Sequence, residues 1–249
     1  MKVARALRSS LHDSVVAPES EAPCGPGDTA IRQRRRSSVA GATLALDAAR
    51  AWVVTRDELE ELHYITPIEN LPSIMEHGVL SHRHAAAMAH RSVAMTEIQK
   101  RRAAVVVPGG RPLHEYANLY ISARNPMMFM RKGQHRTLCV LRIQPEVLDL
   151  PGVVVTDGNA SSVHVSFRAA PDGLKVVDKE ITFADDWRDP DKIQYWRKKT
   201  AKCAEVLVPD RVPPIFIVGA YVSCDEAKQN LNNLGLGIPT EINAKMFFR

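Results

Sequence analysis

Two charged residues, distant in the sequence, have side chains that can stabilise developing charge in a reaction. Glu205 opens an apolar run, Val206-Leu207-Val208, which Pro209 closes. A carboxylate at the start of a buried strand is costly unless it is solvated or partnered, so Glu205 either points to water or faces a site. Arg102 ends a stripe with Met95 and Ile98 at i, i+3 and i+7 spacing, which predicts one helix face. A guanidinium stays charged and stabilises anions, whereas a carboxylate stabilises a developing cation.

A second group of residues has the mixture of side chains that can hold an unpaired base. Tyr120 offers a ring for stacking, Arg124 a cation for phosphate, and His114 and Met127 offer polar or soft apolar edges. Each of them taken singly is equally consistent with core packing or an exposed surface. Lys198 and Lys199 are consistent with contacts to a nucleic-acid backbone or with a solvated helix face.

The overall composition is that of a globular protein of mildly basic charge. The 249 residues carry a net charge of +5, which is compatible with a nucleic-acid partner but does not require one. The four cysteines form no CxxC pair, so we expect neither a disulfide framework nor a metal site, and a reduced, cytoplasmic protein. No apolar run approaches the roughly 18 residues of a membrane helix.

Charge and periodicity divide the chain into two parts. Residues 1–55 contain several Pro and Gly and an arginine cluster at 34–36, and they are interpreted as a flexible basic tail. Residues 1–50 hold eight Lys/Arg and five Asp/Glu, a net charge of +3, so most of the excess charge lies outside the predicted domain at 56–249.

The pattern from Leu62 onward predicts a sheet with interspersed helices. Leu62–Thr66 is strand-like, and a helix capped by Asn70 follows and ends at Gly78. A second helix is predicted over 92–104, a third after Asp189-Pro190 and a fourth from Asp225 to Gly235. Further strands are predicted at 138–143, 153–156, 163–167, 205–208, 215–222 and 245–248. Because strands and helices do not alternate regularly, we expect an α+β fold with mostly antiparallel strands.

Six ordered sequence blocks from about Leu62 onward resemble the DarT family of bacterial DNA ADP-ribosyltransferase toxins, each paired with a macrodomain antitoxin. The blocks are Tyr64-Ile65-Thr66-x-Ile68-x-Asn70-Leu71, Gln99-x-Arg101-Arg102, Pro108-Gly109-Gly110 with Leu113-His114-x-Tyr116, Arg124-x-Pro126-Met127, Thr156-Asp157-Gly158-Asn159-Ala160 and Ala204-Glu205-x-Leu207-Val208.

The resemblance implies an ADP-ribosyltransferase fold that transfers ADP-ribose from NAD+ to a base of single-stranded DNA, with thymine favoured. It implies catalytic roles for Arg102 and Glu205 and no metal. It further implies a cytoplasmic bacterial toxin with a macrodomain antitoxin as partner, and we expect a monomer. The residues implied to contact NAD+ are His63, Tyr64, Ile65, Thr66, Ser73 and Arg102; those expected at the DNA are His114, Tyr120, Arg124 and Met127.

Two positions depart from the family pattern. The family usually has a histidine before the Ile-Thr pair, where this chain has Tyr64, and its histidine is His63, one residue earlier. Since neighbouring strand residues point to opposite faces, either Tyr64 takes over the hydrogen bonding of the imidazole or the strand is shifted and His63 provides it. Ser73 stands where family members often have glycine.

Three functional hypotheses therefore stay open from the sequence. The first is a DNA ADP-ribosyltransferase toxin. The second is an ADP-ribosyltransferase that acts on guanine, RNA or protein. The third is an inactive relative that binds single-stranded nucleic acid without turnover.

Overall fold

The computed structural model describes residues 52–88, 90–92 and 95–249. Residues 1–51 of the predicted basic tail lie outside this part. The last residues of that tail belong to the folded domain, because Val54 is buried and its amide donates to the Val177 carbonyl at 3.3 Å.

Ten strands and seven α-helices form the described chain, with short 3-10 turns between them. The strands are β1 (Leu62–Pro67), β2 (Val79–Leu80), β3 (Tyr116–Tyr120), β4 (Leu138–Ile143), β5 (Val154–Thr156), β6 (Phe167–Ala169), β7 (Glu205–Pro209), β8 (Arg211–Val212), β9 (Ile217–Val222) and β10 (Thr240–Ile242). The helices are α1 (Leu71–His77), α2 (His82–Ala85), α3 (Thr96–Ala103), α4 (Pro126–Arg131), α5 (Lys179–Phe183), α6 (Lys192–Ala201) and α7 (Asp225–Asn232).

Eight of the strands form one sheet in the order β10-β9-β4-β1-β3-β7-β5-β6, and β2 pairs with β8 separately. The pairing is antiparallel except between β10 and β9, which are parallel. The predicted α+β fold with mostly antiparallel strands is confirmed.

Apolar side chains cover both faces of the central strands. Leu62, Leu119 and Leu141 belong to the larger cluster on one face, whereas Ile65 and Val140 belong to a smaller cluster on the other face. Burial on both faces explains why β4 is a continuous apolar run rather than an alternating one.

The sheet opens between β1 and β3. These two strands pair only at His63 and Tyr120, whereas β1 pairs with β4 along its whole length from Leu62 to Pro67. The edge of β1 beyond His63 is therefore not paired with β3, and backbone polar groups on an unpaired edge are available to a ligand.

Two helix ends follow their sequence signals closely. Asn125 caps α4, since its side-chain oxygen accepts hydrogen bonds from the amides of Met127 at 3.0 Å and Met128 at 3.1 Å, and Pro126 occupies the first turn. Gly78 ends α1 at φ 87° and ψ 179°, a conformation essentially reserved for glycine. A Cβ there would lie 2.2 Å from the Val212 carbonyl oxygen.

Two predicted strands are wrong, and two helices start later than expected, since α3 begins at Thr96 rather than at residue 92 and α6 begins at Lys192. The strand in the 163–167 region is Phe167–Ala169, and Val163 is 92% exposed. The C-terminal strand is Thr240–Ile242, while 245–248 lies mostly in a 3-10 turn capped by the Asn243 side chain, which accepts from the Met246 amide at 3.1 Å. Helix α6 begins at Lys192 because Asp191, and not Asp189, caps it.

Two classes of feature are missing from the described residues. None of the helices found there is long and apolar enough to cross a bilayer. Nor do the described side chains include a group of three or more His, Cys, Asp or Glu that could hold a metal ion.

Candidate active site

Arg102 and Glu205 form a buried ion pair. Arg102 Nη1 donates to Glu205 Oε2 at 2.9 Å and to Oε1 at 3.2 Å, although 103 positions separate the two residues. The side chain of Arg102 is 7% exposed and that of Glu205 is 0% exposed. Because each charge has lost its water, removing one partner would leave the other charge buried and uncompensated.

The turn after β5 fixes the position of Glu205. The Glu205 amide donates to Thr156 Oγ1 at 3.1 Å, and Glu205 Oε1 accepts from the Ala160 amide at 3.2 Å. Thr156 Oγ1 in turn donates to the Gly158 carbonyl at 2.7 Å. The predicted turn at 156–160 therefore lies around the Glu205 carboxylate, and its Ala160 amide donates a hydrogen bond to Oε1.

Tyr120 lies opposite Glu205 in the register of β3 and β7. Burial raises the pKa of the Tyr120 phenol well above its usual range, and the charge of Glu205 raises it further. Tyr120 is therefore a neutral hydroxyl at physiological pH, and it cannot act there as a base.

A cleft of about 750 Å³ lies in front of the ion pair. It occupies the opening between β1 and β3, where residues 64–67 face Asn118 and Tyr120. Arg102 is part of its wall, whereas the fully buried Glu205 lies behind Arg102 and is not part of the wall. A ligand in the cleft therefore meets the guanidinium first, and it reaches the carboxylate when Arg102 moves aside.

Two imidazoles pack against each other beside the cleft, with their ring planes tilted by 43°. The ring centroids of His82 and His114 are 4.2 Å apart, and His82 lines the cleft. His114 Nε2 and Gln99 Oε1 are buried and have no hydrogen-bond partner among the described residues. Burial, followed by nearby positive charge that includes Arg102, lowers the pKa of both histidines, so both are neutral at pH 7.

Six of the residues predicted for the site line this one cleft. Tyr64, Ile65 and Thr66 contribute from β1, Arg102 from α3, Tyr120 from β3 and Met127 from α4. Met95 and Ile98 line the cleft with Arg102, in agreement with the predicted helix face. The structure thus brings together residues from four separated stretches of sequence.

His63 lies outside the cleft and is held in the fold. Its Nδ1 lies 3.2 Å from the Ile121 carbonyl oxygen, and its Nε2 lies 3.1 Å from Glu61 Oε1. The half-buried Tyr64 lines the cleft instead. Burial raises the pKa of the Tyr64 phenol to about 12, so Tyr64 is a neutral hydroxyl that can donate a hydrogen bond. Of the two arrangements left open by the sequence, the structure has Tyr64 at the cleft.

The other three predicted residues are not among those that line the cleft. Ser73 lies half-buried on α1, and His114 lies behind His82. Arg124 is held by other contacts, since its Nε donates to the Asp185 carbonyl at 3.0 Å and its guanidinium lies 4.1 Å from the centre of the Phe248 ring.

Several residues of the cleft wall are not among the site residues predicted from the sequence. The prediction that the Asn70 side chain caps α1 is wrong, because it makes no capping hydrogen bond. Its Nδ2 instead donates to the Arg91 carbonyl at 2.8 Å, and its Oδ1 accepts from the Arg91 amide at 3.1 Å. It therefore clamps the segment at 90–92 against the cleft. Trp196 also lines the cleft, together with Lys199, which the sequence analysis considers only as a backbone contact or part of a solvated helix face. The i, i+3 and i+7 spacing of Trp196, Lys199 and Cys203 was the available signal.

Solved structures share this fold. The chain superposes on the Thermosipho africanus DarTG in complex with ADP-ribose with a TM-score of 0.66 at 29% identity, covering 76% of this chain and 51% of that one. It superposes on the Thermus sp. 2.9 DarT in complex with ADP-ribosylated ssDNA with a TM-score of 0.66 at 24% identity, covering 78% of this chain and 99% of that one. The architecture is therefore that of the ADP-ribosyltransferases of the DarT type.

The model of one family, described as ssDNA thymidine ADP-ribosyltransferase, DarT, matches residues 63–248. The chain belongs to this family. A DNA ADP-ribosyl transferase-DNA ADP-ribosyl glycohydrolase fusion protein of Thermosipho africanus is 32% identical over 180 residues, which cover 69% of this chain and 44% of the fusion protein. A DNA ADP-ribosyl transferase of Thermus sp. is 30% identical over 170 residues, covering 64% of this chain and 79% of that protein.

Proposed function

We propose that this chain transfers ADP-ribose from NAD+ to a base of single-stranded DNA, with thymine as the favoured acceptor. The observation that carries the proposal is the buried pair of Arg102 Nη1 and Glu205 Oε2, 2.9 Å apart behind a cleft of about 750 Å³. Membership of the DarT family, together with relatives named as DNA ADP-ribosyl transferases, supports the substrate class.

Glu205 stabilises the sugar during bond cleavage. When the bond from nicotinamide to the ribose breaks, its electrons leave with nicotinamide and positive charge develops on the sugar. A carboxylate held in a dry site stabilises this charge more strongly in the transition state than in the ground state. Hydrogen bonds donated by Arg102 Nη1 and by the Ala160 amide orient the Glu205 carboxylate.

Arg102 acts on the acceptor base or on the pyrophosphate of NAD+. The acceptor nitrogen of the base forms the new bond to the ribose carbon as the bond to nicotinamide breaks, and its proton passes to solvent water. Since a guanidinium stays charged in proteins, Arg102 is not the acceptor of that proton; it stabilises the base anion or the pyrophosphate. Its place in the cleft wall allows either contact once it separates from Glu205.

The β1 edge binds the nicotinamide end of NAD+ in this proposal. Tyr64, Ile65 and Thr66 line the cleft where β1 has no β3 partner, so a carboxamide can pair with the strand edge there. The Tyr64 hydroxyl takes the hydrogen-bonding role that the family usually gives to an imidazole. Tyr120 and Met127 contact the acceptor base.

The biological role follows from the family. The fusion of a transferase with a DNA ADP-ribosyl glycohydrolase in Thermosipho africanus supports a glycohydrolase of the macrodomain type as the antitoxin partner of this chain. We therefore propose a toxin of the bacterial cytoplasm whose mark on DNA the partner removes. The monomeric state stays a prediction.

The direct test is a transfer reaction on defined strands. Purified protein is incubated with NAD+ and single strands that contain thymine or lack it, and the strands are weighed by mass spectrometry. A mass increase of one ADP-ribose on thymine-containing strands alone supports the proposal. Modification of guanine-only strands, RNA or the protein would assign another acceptor, and binding without any mass change would contradict the proposed transferase.

A further inference from the structure

One face of α6 forms part of the cleft. Trp196, Lys199 and Thr200 are spaced at i, i+3 and i+4 and line the cleft together with Cys203, which follows the helix at i+7. The Trp196 side chain nevertheless remains 53% exposed. An aromatic ring that lines a cleft and still faces water presents a free surface to a ligand.

Other apolar side chains extend this exposed surface. Val163, in the turn after β5, is 92% exposed, and Met130, at the end of α4, is 63% exposed, and both line the cleft. Exposed apolar groups that meet at one cleft indicate a binding surface rather than scattered surface residues. The patch formed by Trp196, Val163 and Met130 is called the apolar rim below.

Helix α6, which contributes Trp196 to the apolar rim, is positively charged. Helix α6 carries Lys192, Arg197, Lys198 and Lys199 and no acidic residue. Lys198 Nζ pairs with Asp189 at 2.8 Å, but in the described part of the chain no ion pair involves Lys192, Arg197 or Lys199. Lys199 Nζ lies over the Trp196 ring, 4.7 Å from its centre, so a cation is held directly against the indole.

We propose that Trp196 and Lys199 form a subsite for the nucleotide that flanks the modified one in the acceptor strand. An unpaired base stacks on the Trp196 indole, and Lys199 contacts the adjoining phosphate. This subsite rests on the proposed function, because it requires single-stranded DNA as the acceptor. A ring with a neighbouring cation suits a nucleotide of any sequence, since every base has a stacking face.

The subsite is separate from the β1 edge that holds Tyr64 and Thr66. Helix α6 reaches the cleft just before β7, whereas the β1 edge lies on the opposite side of the opening between β1 and β3. The adenine of NAD+ is also an aromatic base that can stack on an indole, so the test must distinguish the two ligands.

The test measures the binding of a fluorescein-labelled 12-nucleotide single strand by anisotropy, without NAD+, in Trp196→Ala, Trp196→Phe and Lys199→Gln variants. Trp52→Ala is the matched control, because Trp52 is also exposed, at 59%, but does not line the cleft. We expect Trp196→Ala to weaken strand binding by at least about fivefold, Trp196→Phe to retain most of the affinity, and Trp52→Ala to match the wild type. Lys199→Gln should also reduce the salt dependence, by about 0.7 in the slope of log K against log salt.

Parallel calorimetry with NAD+ separates the alternatives. A Trp196→Ala variant that binds DNA like the wild type and loses NAD+ affinity overturns the subsite and assigns Trp196 to the adenine. A wild-type protein that modifies strands while Trp196→Ala binds them equally well overturns the subsite alone. A wild-type protein that binds strands through Trp196 and transfers nothing supports the subsite and contradicts the proposed transferase. A wild-type protein without affinity for single strands overturns both.

Discussion

Arg102 and Glu205 face each other in a buried ion pair in which one guanidinium nitrogen contacts both carboxylate oxygens, at 2.9 and 3.2 Å. The pair links α3 to β7 and closes the back of the cleft. Because Arg102 covers Glu205, the same residue that neutralises the carboxylate also controls its access to a ligand. In the proposed mechanism, the same two side chains thus neutralise each other before a ligand binds and stabilise charge during the reaction.

Replacing Arg102 with alanine should reduce transfer more than NAD+ binding, because the proposed role of the guanidinium develops with the charge of the transition state. We expect a fall in kcat of about 100-fold or more against a change in NAD+ Kd of less than about tenfold. Arg102→Lys keeps a positive charge beside Glu205. A loss of transfer in this variant is therefore not caused by unfolding around an uncompensated carboxylate. Lys100→Ala is the control, since Lys100 is exposed and forms an ion pair with Glu97 at 3.2 Å. Equal losses in transfer and binding would contradict this role.

Replacement of Tyr64 should change NAD+ binding, whereas replacement of His63 should change the stability of the fold. Tyr64→Phe removes the hydroxyl at the cleft, so we expect NAD+ binding to weaken about two- to tenfold with little change in stability. Tyr64→His should retain NAD+ binding because it supplies the donor typical of the family.

His63→Ala should lower the free energy of unfolding by about 1–3 kcal/mol, since it removes the imidazole that contacts the buried Ile121 carbonyl and one of the partners of Glu61. Its NAD+ affinity, measured by calorimetry, should match the wild type. Loss of NAD+ binding in His63→Ala with full binding in Tyr64→Phe would reverse the assignment.

Glu61 should make the stability of the domain sensitive to acid. Burial acts to raise the pKa of Glu61, but hydrogen bonds from His63 and Arg142 outweigh it and lower the pKa to about 2, against an ordinary value of 4.5. The unfolded chain thus binds the proton more readily, so the contribution of Glu61 is complete above about pH 4.5 and is lost as the pH falls towards 2.

Urea unfolding at pH 7 and pH 3 tests this expectation. The wild type should lose more stability than Glu61→Gln between these two pH values, by an amount on the order of 2 kcal/mol. Asp172→Asn is the control, since Asp172 pairs with Lys175 on the exposed surface. An equal acid sensitivity of the wild type and Glu61→Gln would show that this carboxylate is not the source.

Gly78→Ala should destabilise the fold strongly. A methyl group there would lie 2.2 Å from the Val212 carbonyl oxygen, and the backbone at φ 87° and ψ 179° excludes residues with a side chain. We expect a loss of at least about 3 kcal/mol in the free energy of unfolding, measured by urea denaturation. Gly133→Ala is the matched control, because a Cβ at Gly133 meets no atom within 4 Å. Comparable stability of the two variants would refute this account of the α1 end.

The local parts of the fold were predictable because short-range signals encode them. Gly78 defines the end of α1 through backbone chemistry that acts within a few residues, and the apolar run of β4 predicts its observed bounds, 138–143. Helix α4 was not predicted, although Asn125 and Pro126 carry its start signal. The C-terminal residues 245–248 look like a strand because they are apolar, but Asn243 caps a 3-10 turn there. Phe247 is buried in that turn, and burial alone does not distinguish a strand from a turn.

Site residues were predictable where the residue type is unusual for its sequence context. They were less predictable where the orientation of the side chain in the fold decides whether it reaches the cleft. Glu205 stood out because a carboxylate that opens an apolar run needs a reason, whereas the resemblance to the DarT family singled out Arg102. The choice between His63 and Tyr64 depends on which face of β1 meets the opening, which the pairing with β3 and β4 decides and the sequence of β1 does not. Arg124 has the composition of a phosphate contact, yet long-range contacts to Asp185 and Phe248 engage its guanidinium.

The measurement that tests the central claim most directly compares the wild type with Glu205→Gln in one experiment. NAD+ affinity is determined by calorimetry, and ADP-ribose on a thymine-containing single strand is quantified by mass spectrometry. The amide of Glu205→Gln keeps the shape and a hydrogen-bond acceptor for Arg102 but cannot neutralise the charge that develops on the sugar. We predict NAD+ binding within about tenfold of the wild type and transfer reduced by at least about 100-fold. Transfer by Glu205→Gln at the wild-type rate would contradict the role of this carboxylate in the reaction.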